Sequence, residues 1–397
     1  MGSDVFKVLT LNNISPKGLG RLPADLYQVA NELQDPDAIL VRSADMHKMS
    51  IPDSVKAVAR AGAGVNNIPI DRLSARGVPV FNTPGANANA VKELVVAGLF
   101  LASRNICQAW DFSRSLQGSD AEISRAVESG KKAYAGFELP GRTLGVVGLG
   151  YVGRNVANIA IVLGMKVIGY DPKLTIEGAW QLSSEVQRAR NLEQLLRSAD
   201  FVTFHVPLLE STQHMINAER LRLMKQGVTI LNFAREAVVD QAAIVEDLKS
   251  GHLRAYVCDF PSNLLKQHER VIALPHLGAS TQEAEENCAV MVAEQMRDFL
   301  ENGNVRNSVN FPEVVVPRGS DYRMVVANAN VPNMLGHIST AMGRAGLNIH
   351  DMVNMSRDEL AYTVVDLDSP VPESVRVEVA RIDGVMMARL LEPPRAG

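Results

Sequence analysis

The chain has 397 residues, room for two or three domains, and its 46% hydrophobic and 21% charged content is that of a globular protein. A net charge of -4 with no long basic run removes the electrostatic case for nucleic acid, and no apolar stretch is long enough to span a bilayer. Three scattered cysteines (Cys107, Cys258, Cys288) and eight histidines without ligand spacing predict a reduced, cytoplasmic protein that holds no metal.

The opening "MGSDVFKVLTLNN" lacks a charged segment followed by an apolar core, so it is not an export signal. "VFKVLTL", "AILVRS", "VKAVARAG" and "VPVFNT" are strand-like runs between Pro- and Gly-marked connections, which predicts a small parallel α/β unit. "ANANAVKELVVAGLFLASRNI" (86–106) reads as a long, largely buried helix. A second series follows in "TLGVVGLG", "KVIGYDP", "FVTFHVP", "VTILNFA", "LRAYVCDF" and "RVIALP". Short apolar runs separated by helical segments are the pattern of a doubly wound parallel sheet. Ala284, Cys288, Val292, Met296 and Leu300 then repeat at helical spacing between Thr281 and Asn302. "VNFPEVVVPRGSD", with prolines near both ends, reads as a linker, and the remaining runs give a β-α-β-β-α-β order. The expected parts are a smaller α/β domain (1–88 and 283–308), a doubly wound domain (89–282), a linker (309–319) and a small sandwich of regulatory type (320–393).

"TLGVVGLGYVGRNVANIAIVLGMKVIGYDP" contains Gly148-x-Gly150-x-x-Gly153 after a strand and at the start of a helix. Asp171 closes the next strand, 18 positions beyond Gly153. In that setting Gly148 allows the tight turn, Gly150 lets backbone approach a pyrophosphate, and Gly153 lets the helix pack close. Asp171 would accept ribose hydroxyls and repel a 2'-phosphate, which favours NAD over NADP. A dinucleotide fold preceded by a smaller α/β unit also implies a cleft at the strand C-terminal ends. "HVP", "NFAR", "CDF" and "PHLGAS" all fall at such ends.

Taken together, "GLGYVGRNVA", "HVPLLESTQHMI", "NFAREAVVD" and "PHLGAST" resemble the successive signatures of the D-isomer-specific 2-hydroxyacid dehydrogenases. "AILVRSAD", "ARAGAGVNNIPID" and "VFNTPGANANAVKELVVAGLFLASRNI" resemble the short phosphoglycerate-oxidising branch, and the C-terminal part resembles its ACT domain. The resemblance runs over nearly the whole chain. It implies a Rossmann-type cofactor domain, a smaller flavodoxin-like substrate domain and a βαββαβ ACT domain. The implied reaction is oxidation of D-3-phosphoglycerate to 3-phosphohydroxypyruvate with NAD, the first step of phosphorylated L-serine biosynthesis, by a homodimer or homotetramer.

That chemistry needs a base, a cation for the carboxylate and a nicotinamide to take the hydride. His276 follows an apolar strand end, and an unperturbed imidazole suits proton exchange near neutrality; its alternative role is to cap the next helix. Arg235 ends the apolar run Val228–Leu231 and offers a charged fork to a carboxylate or a forming carbonyl. Its alternative is a salt bridge to adjacent Glu236, which neighbouring residues of a strand, pointing to opposite faces, make difficult. By resemblance Tyr151, Val152, His205, Val206, Pro207, Thr212, Phe233, Ala234, Asp259 and Gly278 join the glycines and Asp171 around the cofactor. Two departures stand out. The family has Gly where Glu236 stands, and it pairs its histidine with a glutamate after the strand ending here at Asp259-Phe260. "PSNLLKQHERV" holds no acid before Glu269, so either Glu269 reaches His276 or no acid does.

For a substrate phosphate, Arg42, Arg60 and, more weakly, Lys48 are the candidate cations. "AGAGVNN" adds a nest of backbone N–H groups at Ala63, Gly64 and Val65. Taken singly, each cation reads first as a solvated surface charge. In the last part Asn328, Asn330 and Asn348 match the positions that bind an amino-acid effector, by resemblance L-serine. A purely dimerising domain is the alternative. Two other functions compete: a hydroxypyruvate or glyoxylate reductase, and a catalytically weak NAD-sensing binding protein.

Overall fold

The computed structural model describes residues 5–391 and 393. Positions 1–4 and 392, parts of the expected first and last domains, lie outside the described residues. Two compact units emerge, one from residues up to Asn87 together with those from Glu285 onward, the other from Ala88 to Ala284.

The first unit opens with five parallel strands, β1 (Phe6–Leu11), β2 (Tyr27–Ala30), β3 (Ala38–Val41), β4 (Ala57–Arg60) and β5 (Val80–Phe81), in the order β2-β1-β3-β4-β5. No strand was expected at β2. Alternation along β3 sends Ala38 and Leu40 to one face and Ile39 and Val41 to the other, so the sheet is covered on both sides.

The second unit carries β6 (Thr143–Val147), β7 (Lys166–Tyr170), β8 (Gln187–Arg188), β9 (Phe201–Phe204), β10 (Val228–Asn232), β11 (Leu253–Cys258) and β12 (Val271–Ala273). All pairings are parallel and the order is β12-β11-β10-β9-β6-β7-β8, the doubly wound arrangement, which changes direction between β6 and β9. Every residue of β10 is buried; Val228 and Ile230 enter one core layer and Leu231 the other. The expected long helix runs Ala88–Ser103 and stops at Asn105, whose left-handed φ of 50° begins a second helix, Ile106–Ser115.

The chain returns to the first unit along the 21-residue helix Gln282–Asn302. It then builds an antiparallel sheet from β13 (Tyr322–Ala329), β14 (Ile349–Arg357), β15 (Leu360–Leu367) and β16 (Val385–Leu391), ordered β14-β15-β13-β16. Helices Met334–Arg344 and Glu373–Ala380 complete the expected βαββαβ order. Met324 and Val326 face those helices, whereas Val325 and Ala327 join the core of the N-terminal sheet with Val292, Met296 and Phe299. The first half of the segment read as a linker is packed, whereas Val315, Pro317 and Gly319 are exposed. Phe311 is fully buried against Tyr362, and Val305 and Val314 pair as an isolated bridge. Arg323, with no exposed surface, bonds Asp366 through Nε (2.6 Å) and Nη2 (2.8 Å). It also donates to the Asn302, Val316 and Pro317 carbonyls.

Candidate active site

At the end of β6 the chain needs glycine for identifiable reasons. Gly148 has φ +87°, and a Cβ there would lie 2.5 Å from the His205 carbonyl oxygen. A Cβ on Gly153 would lie 1.9 Å from the Gly148 oxygen, so this contact sets how closely the helix Tyr151–Val162 packs. Gly150 differs: a Cβ there would meet nothing within 4 Å, so the space before the helix is open. Among the described residues the N–H groups of Gly150, Tyr151 and Val152 find no acceptor in the protein, the condition in which a helix start attracts an anion. Asp171, just past β7, accepts from the Leu149 N–H (Oδ2, 2.8 Å) and the Lys173 N–H (Oδ1, 2.8 Å), which fixes the acid beside the turn. These residues fit a dinucleotide. They offer donors for phosphates, an open approach, and an oriented carboxylate for a ribose.

The neighbouring strand ends extend the surface. His205 follows β9, and its Nε2 lies 3.1 Å from the Thr203 hydroxyl. Desolvation of this partly exposed residue's ring pushes its pKa to about 3, so it stays neutral. Val206 is half-buried and Pro207 exposed. Thr212 Oγ1 donates to the Pro207 oxygen (2.6 Å) and accepts from the Leu209 N–H (2.8 Å), closing the loop between them.

At the end of β10 the buried Asn232 organises the turn. Its Oδ1 accepts from the Ala234 N–H (3.2 Å) and its Nδ2 donates to the Arg235 oxygen (2.9 Å). Phe233 and Ala234 are buried, and the chain then turns outward, leaving Arg235 and Glu236 exposed. Arg235 makes no pair with Glu236. Its Nη1 donates to the Ala234 oxygen (2.6 Å), while Glu236 accepts from Gln241 Nε2 (2.8 Å). The apolar strand therefore ends in an exposed guanidinium because Asn232, not a salt bridge, satisfies the turn's backbone.

Asp259, 1% exposed at the end of β11, accepts from the Leu277 N–H (2.9 Å) and the Gly278 N–H (2.8 Å), and its own oxygen accepts from the His276 N–H (3.1 Å). This clamp holds His276 in the left-handed region at φ 56° and leaves it exposed. Its ring meets the edge of Phe260 at 5.2 Å and, among the described residues, no carboxylate. Glu269 does not reach it. Glu269 precedes β12 and His276 follows it, so the two stand at opposite ends of the strand, roughly 15–20 Å apart at ~3.3 Å per residue. The Glu269 carboxylate is exposed and lies 3.9 Å from Arg270.

The candidate substrate cations lie on the first unit. Arg42 does not stand open: its Nη2 bonds Glu285 Oε1 at 2.5 Å, and that hydrogen bond raises the Arg42 pKa and lowers that of Glu285. Arg60 folds back over Gly62, its Nη1 lying 2.5 Å from where a Cβ would stand, so a side chain at 62 would displace it. Lys48 is exposed. Among the described residues the N–H groups of Ala63, Gly64 and Val65 donate to nothing in the protein, as a nest awaiting an anion would.

The effector candidates are already engaged. Asn328, 1% exposed, donates to the Ala329 oxygen (2.7 Å). Asn330 donates to the Asp358 oxygen (3.1 Å) and Asn348 to Asp368 Oδ2 (2.5 Å). No cluster of metal-ligating side chains occurs among the described residues, and no helix there is long and apolar enough to cross a membrane.

Residues 103–278 match the family description "D-isomer specific 2-hydroxyacid dehydrogenase, NAD binding domain". The chain belongs to the D-isomer-specific 2-hydroxyacid dehydrogenases. The D-3-phosphoglycerate dehydrogenase of Haemophilus influenzae is 35% identical over 340 residues, covering 83% of this chain and 79% of that protein. The Escherichia coli K12 protein of the same name is 31% identical over 98% of each chain. Among solved structures, the NAD+-bound 3-phosphoglycerate dehydrogenase of Entamoeba histolytica superposes with a TM-score of 0.60 at 26% identity, covering 77% of this chain and 99% of that one.

Three contributors escaped the sequence reading. Asn232 carried a signal, as a polar residue in an otherwise apolar strand. Glu285 carried only its place in the first turn of a helix, and Phe260 none beyond following Asp259.

Proposed function

We propose that this protein oxidises D-3-phosphoglycerate to 3-phosphohydroxypyruvate with NAD, the step that opens phosphorylated L-serine biosynthesis. The observation that carries this reading is the match over 98% of both chains with a protein of that name, which takes in every candidate site strand. NAD, when bound, supplies the hydride acceptor. His276 takes the hydroxyl proton on a ring nitrogen as the C2–H bond breaks and the C2 carbonyl forms. Arg235, exposed and free of Glu236, holds the carboxylate and polarises that carbonyl. Arg42, Arg60 and Lys48, with the N–H groups of Ala63, Gly64 and Val65, hold the phosphate, Arg42 exchanging Glu285 for it. The cofactor side is Gly148 to Gly153, Asp171, His205 to Pro207, Thr212, Phe233, Ala234, Asp259 and Gly278. We assign residues 320–393 to an ACT domain that takes L-serine at Asn328, Asn330 and Asn348, residues 89–282 to the cofactor domain, and the whole to a cytoplasmic homodimer or homotetramer.

The test is NADH formation with 3-phosphoglycerate and with D-glycerate side by side, with and without L-serine. Strong preference for the phosphorylated acid supports the assignment; equal or reversed preference removes it. The engagement of Arg42 by Glu285 favours one competing reading, a hydroxypyruvate or glyoxylate reductase, which that outcome would identify. The lack of an acid on His276 favours another, an NAD-binding sensor. Turnover that Arg235→Ala abolishes would exclude the sensor.

A further inference from the structure

The N-terminal edge of the seven-stranded sheet, the end away from the glycine-rich turn, carries a charge arrangement that the reaction does not use. Arg142 immediately precedes β6, Lys225 lies just before β10, Arg254 is the second residue of β11, and Arg270 immediately precedes β12. The four cations line one cavity of about 370 Å³ with Phe137 and a single carboxylate, Asp200. That carboxylate is already spent, on Lys225 Nζ (2.9 Å) and the Thr143 N–H (2.7 Å). Arg142 and Arg254 each place a guanidinium carbon 4.7 Å from the Phe137 ring centre. Among the described residues the buried Arg254 Nε finds no hydrogen-bond partner, and the side chain makes a single, long bond of 3.5 Å from Nη2 to Asn105 Oδ1. Desolvation, then repulsion from Arg270 and Arg142, lowers the Arg254 pKa.

Like charges gathered around a partly buried guanidinium oppose folding unless something neutralises them. Two helices, Leu192–Ser198 and Gln241–Lys249, end at this edge, and each contributes about half a negative charge at most. With the exposed Glu269 carboxylate 3.9 Å from Arg270 counted as well, that does not balance four cations against two acids. A bound anion does, and the cavity gives it planar donors, a point charge and the open Gly227 and Gly251 turns, where nothing lies within 4 Å of a built Cβ.

We propose that this cavity is a binding site for a small polyanion of the phosphate-ester or di- and tricarboxylate class, separate from the cofactor cradle and able to be filled together with it. Both classes offer the same grouped anionic oxygens, and the experiment's arms separate them. The strands β6 and β11 run from this edge to Gly148 and Asp259, so an occupant would act on the cofactor side through the sheet rather than by competition.

Calorimetric titration of the full chain, held at saturating NADH to fill the cradle, would use inorganic pyrophosphate in one series and citrate in another. At least one of them should bind. Its site count should fall by one, or that site weaken roughly tenfold or more, in Arg254→Gln and in the more exposed Arg270→Gln. NADH affinity should stay at its wild-type value, which also reports that each variant is folded. Should Arg254→Gln fail to fold, Arg270→Gln with Lys225→Gln carries the test. Whichever anion alone binds defines the class. Identical titrations for wild type and variants, or none for either anion, overturn the proposal. So does a variant that changes only the sedimentation of the protein, since the cations would then serve contact between copies.

Discussion

At the residue scale, the contact between Arg42 and Glu285 opposes substrate binding under the proposed function, because the arginine cannot hold a phosphate and Glu285 at once. Both side chains are more than a third exposed, so the pair itself is worth at most about 1 kcal/mol. Glu285→Gln should therefore lower KM for 3-phosphoglycerate by up to about fivefold and leave kcat near its original value. Steady-state kinetics read this directly, and a KM that rises would show that Glu285 helps the substrate instead. His205 makes a second prediction. Its pKa falls from 6.5 unfolded to about 3 folded, so between those values the unfolded chain binds the extra proton and stability declines as pH falls. Near pH 5 the loss is up to about 2 kcal/mol, complete near pH 3 and absent above about 6.5. Urea midpoints compared at about pH 7 and pH 5 should shift less in His205→Asn than in wild type.

At the scale of elements, the turn from β6 into the helix Tyr151–Val162 separates folding from binding. Gly150→Ala puts a methyl into open space and keeps an allowed backbone at φ -65°, so the protein should melt as before yet lose much of its NADH affinity. Gly153→Ala drives a methyl to within 1.9 Å of the Gly148 oxygen and should cost both stability and binding. Melting curves and NADH fluorescence titrations on the pair would distinguish the two roles; equal effects in both variants would refute the distinction. This element was legible in the sequence because backbone requirements write themselves as glycine at fixed spacing. The parallel strands were legible for a related reason, since burial on two faces demands unbroken apolar runs such as Val228–Leu231. Short β2 and β8 were not, as two to four residues with polar members leave no period to read. Nor was the pairing of Arg42 with Glu285, which joins positions far apart in sequence through one exposed contact.

At the scale of the whole molecule, Arg323 and Asp366 tie three stretches together, because the guanidinium also holds the carbonyls of Asn302, Val316 and Pro317. Asp366→Asn would leave that buried arginine without its counter-charge and should cost roughly 3–5 kcal/mol. A first unfolding transition at markedly lower denaturant, with NADH binding by the second unit retained, is the expected result; an unchanged curve would mean that the carbonyls alone suffice. The same contacts explain why residues 309–319 look like a linker in the sequence yet bury Asn310, Phe311, Pro312 and Val314, while Val315, Pro317 and Gly319 stay exposed. Their prolines signal an extended path, while the burial of Phe311 depends on Tyr362, some fifty positions later.

The division of the chain also sets an order of events during synthesis. Residues 88–284 emerge as one continuous run and can close their sheet before anything after them is made. The first 87 residues hold all five of their strands but leave one face of that sheet short of cover, since the core beneath β1 and β3 is completed by Val292, Met296, Phe299 and Phe311, and then by Val325 and Tyr362 of the last sheet. One face of the N-terminal sheet therefore waits, partly uncovered, until Tyr362 has left the ribosome. Of the two units, the one whose strands are made earlier is the later to be finished, and the helix that begins at Gln282 starts to cover it.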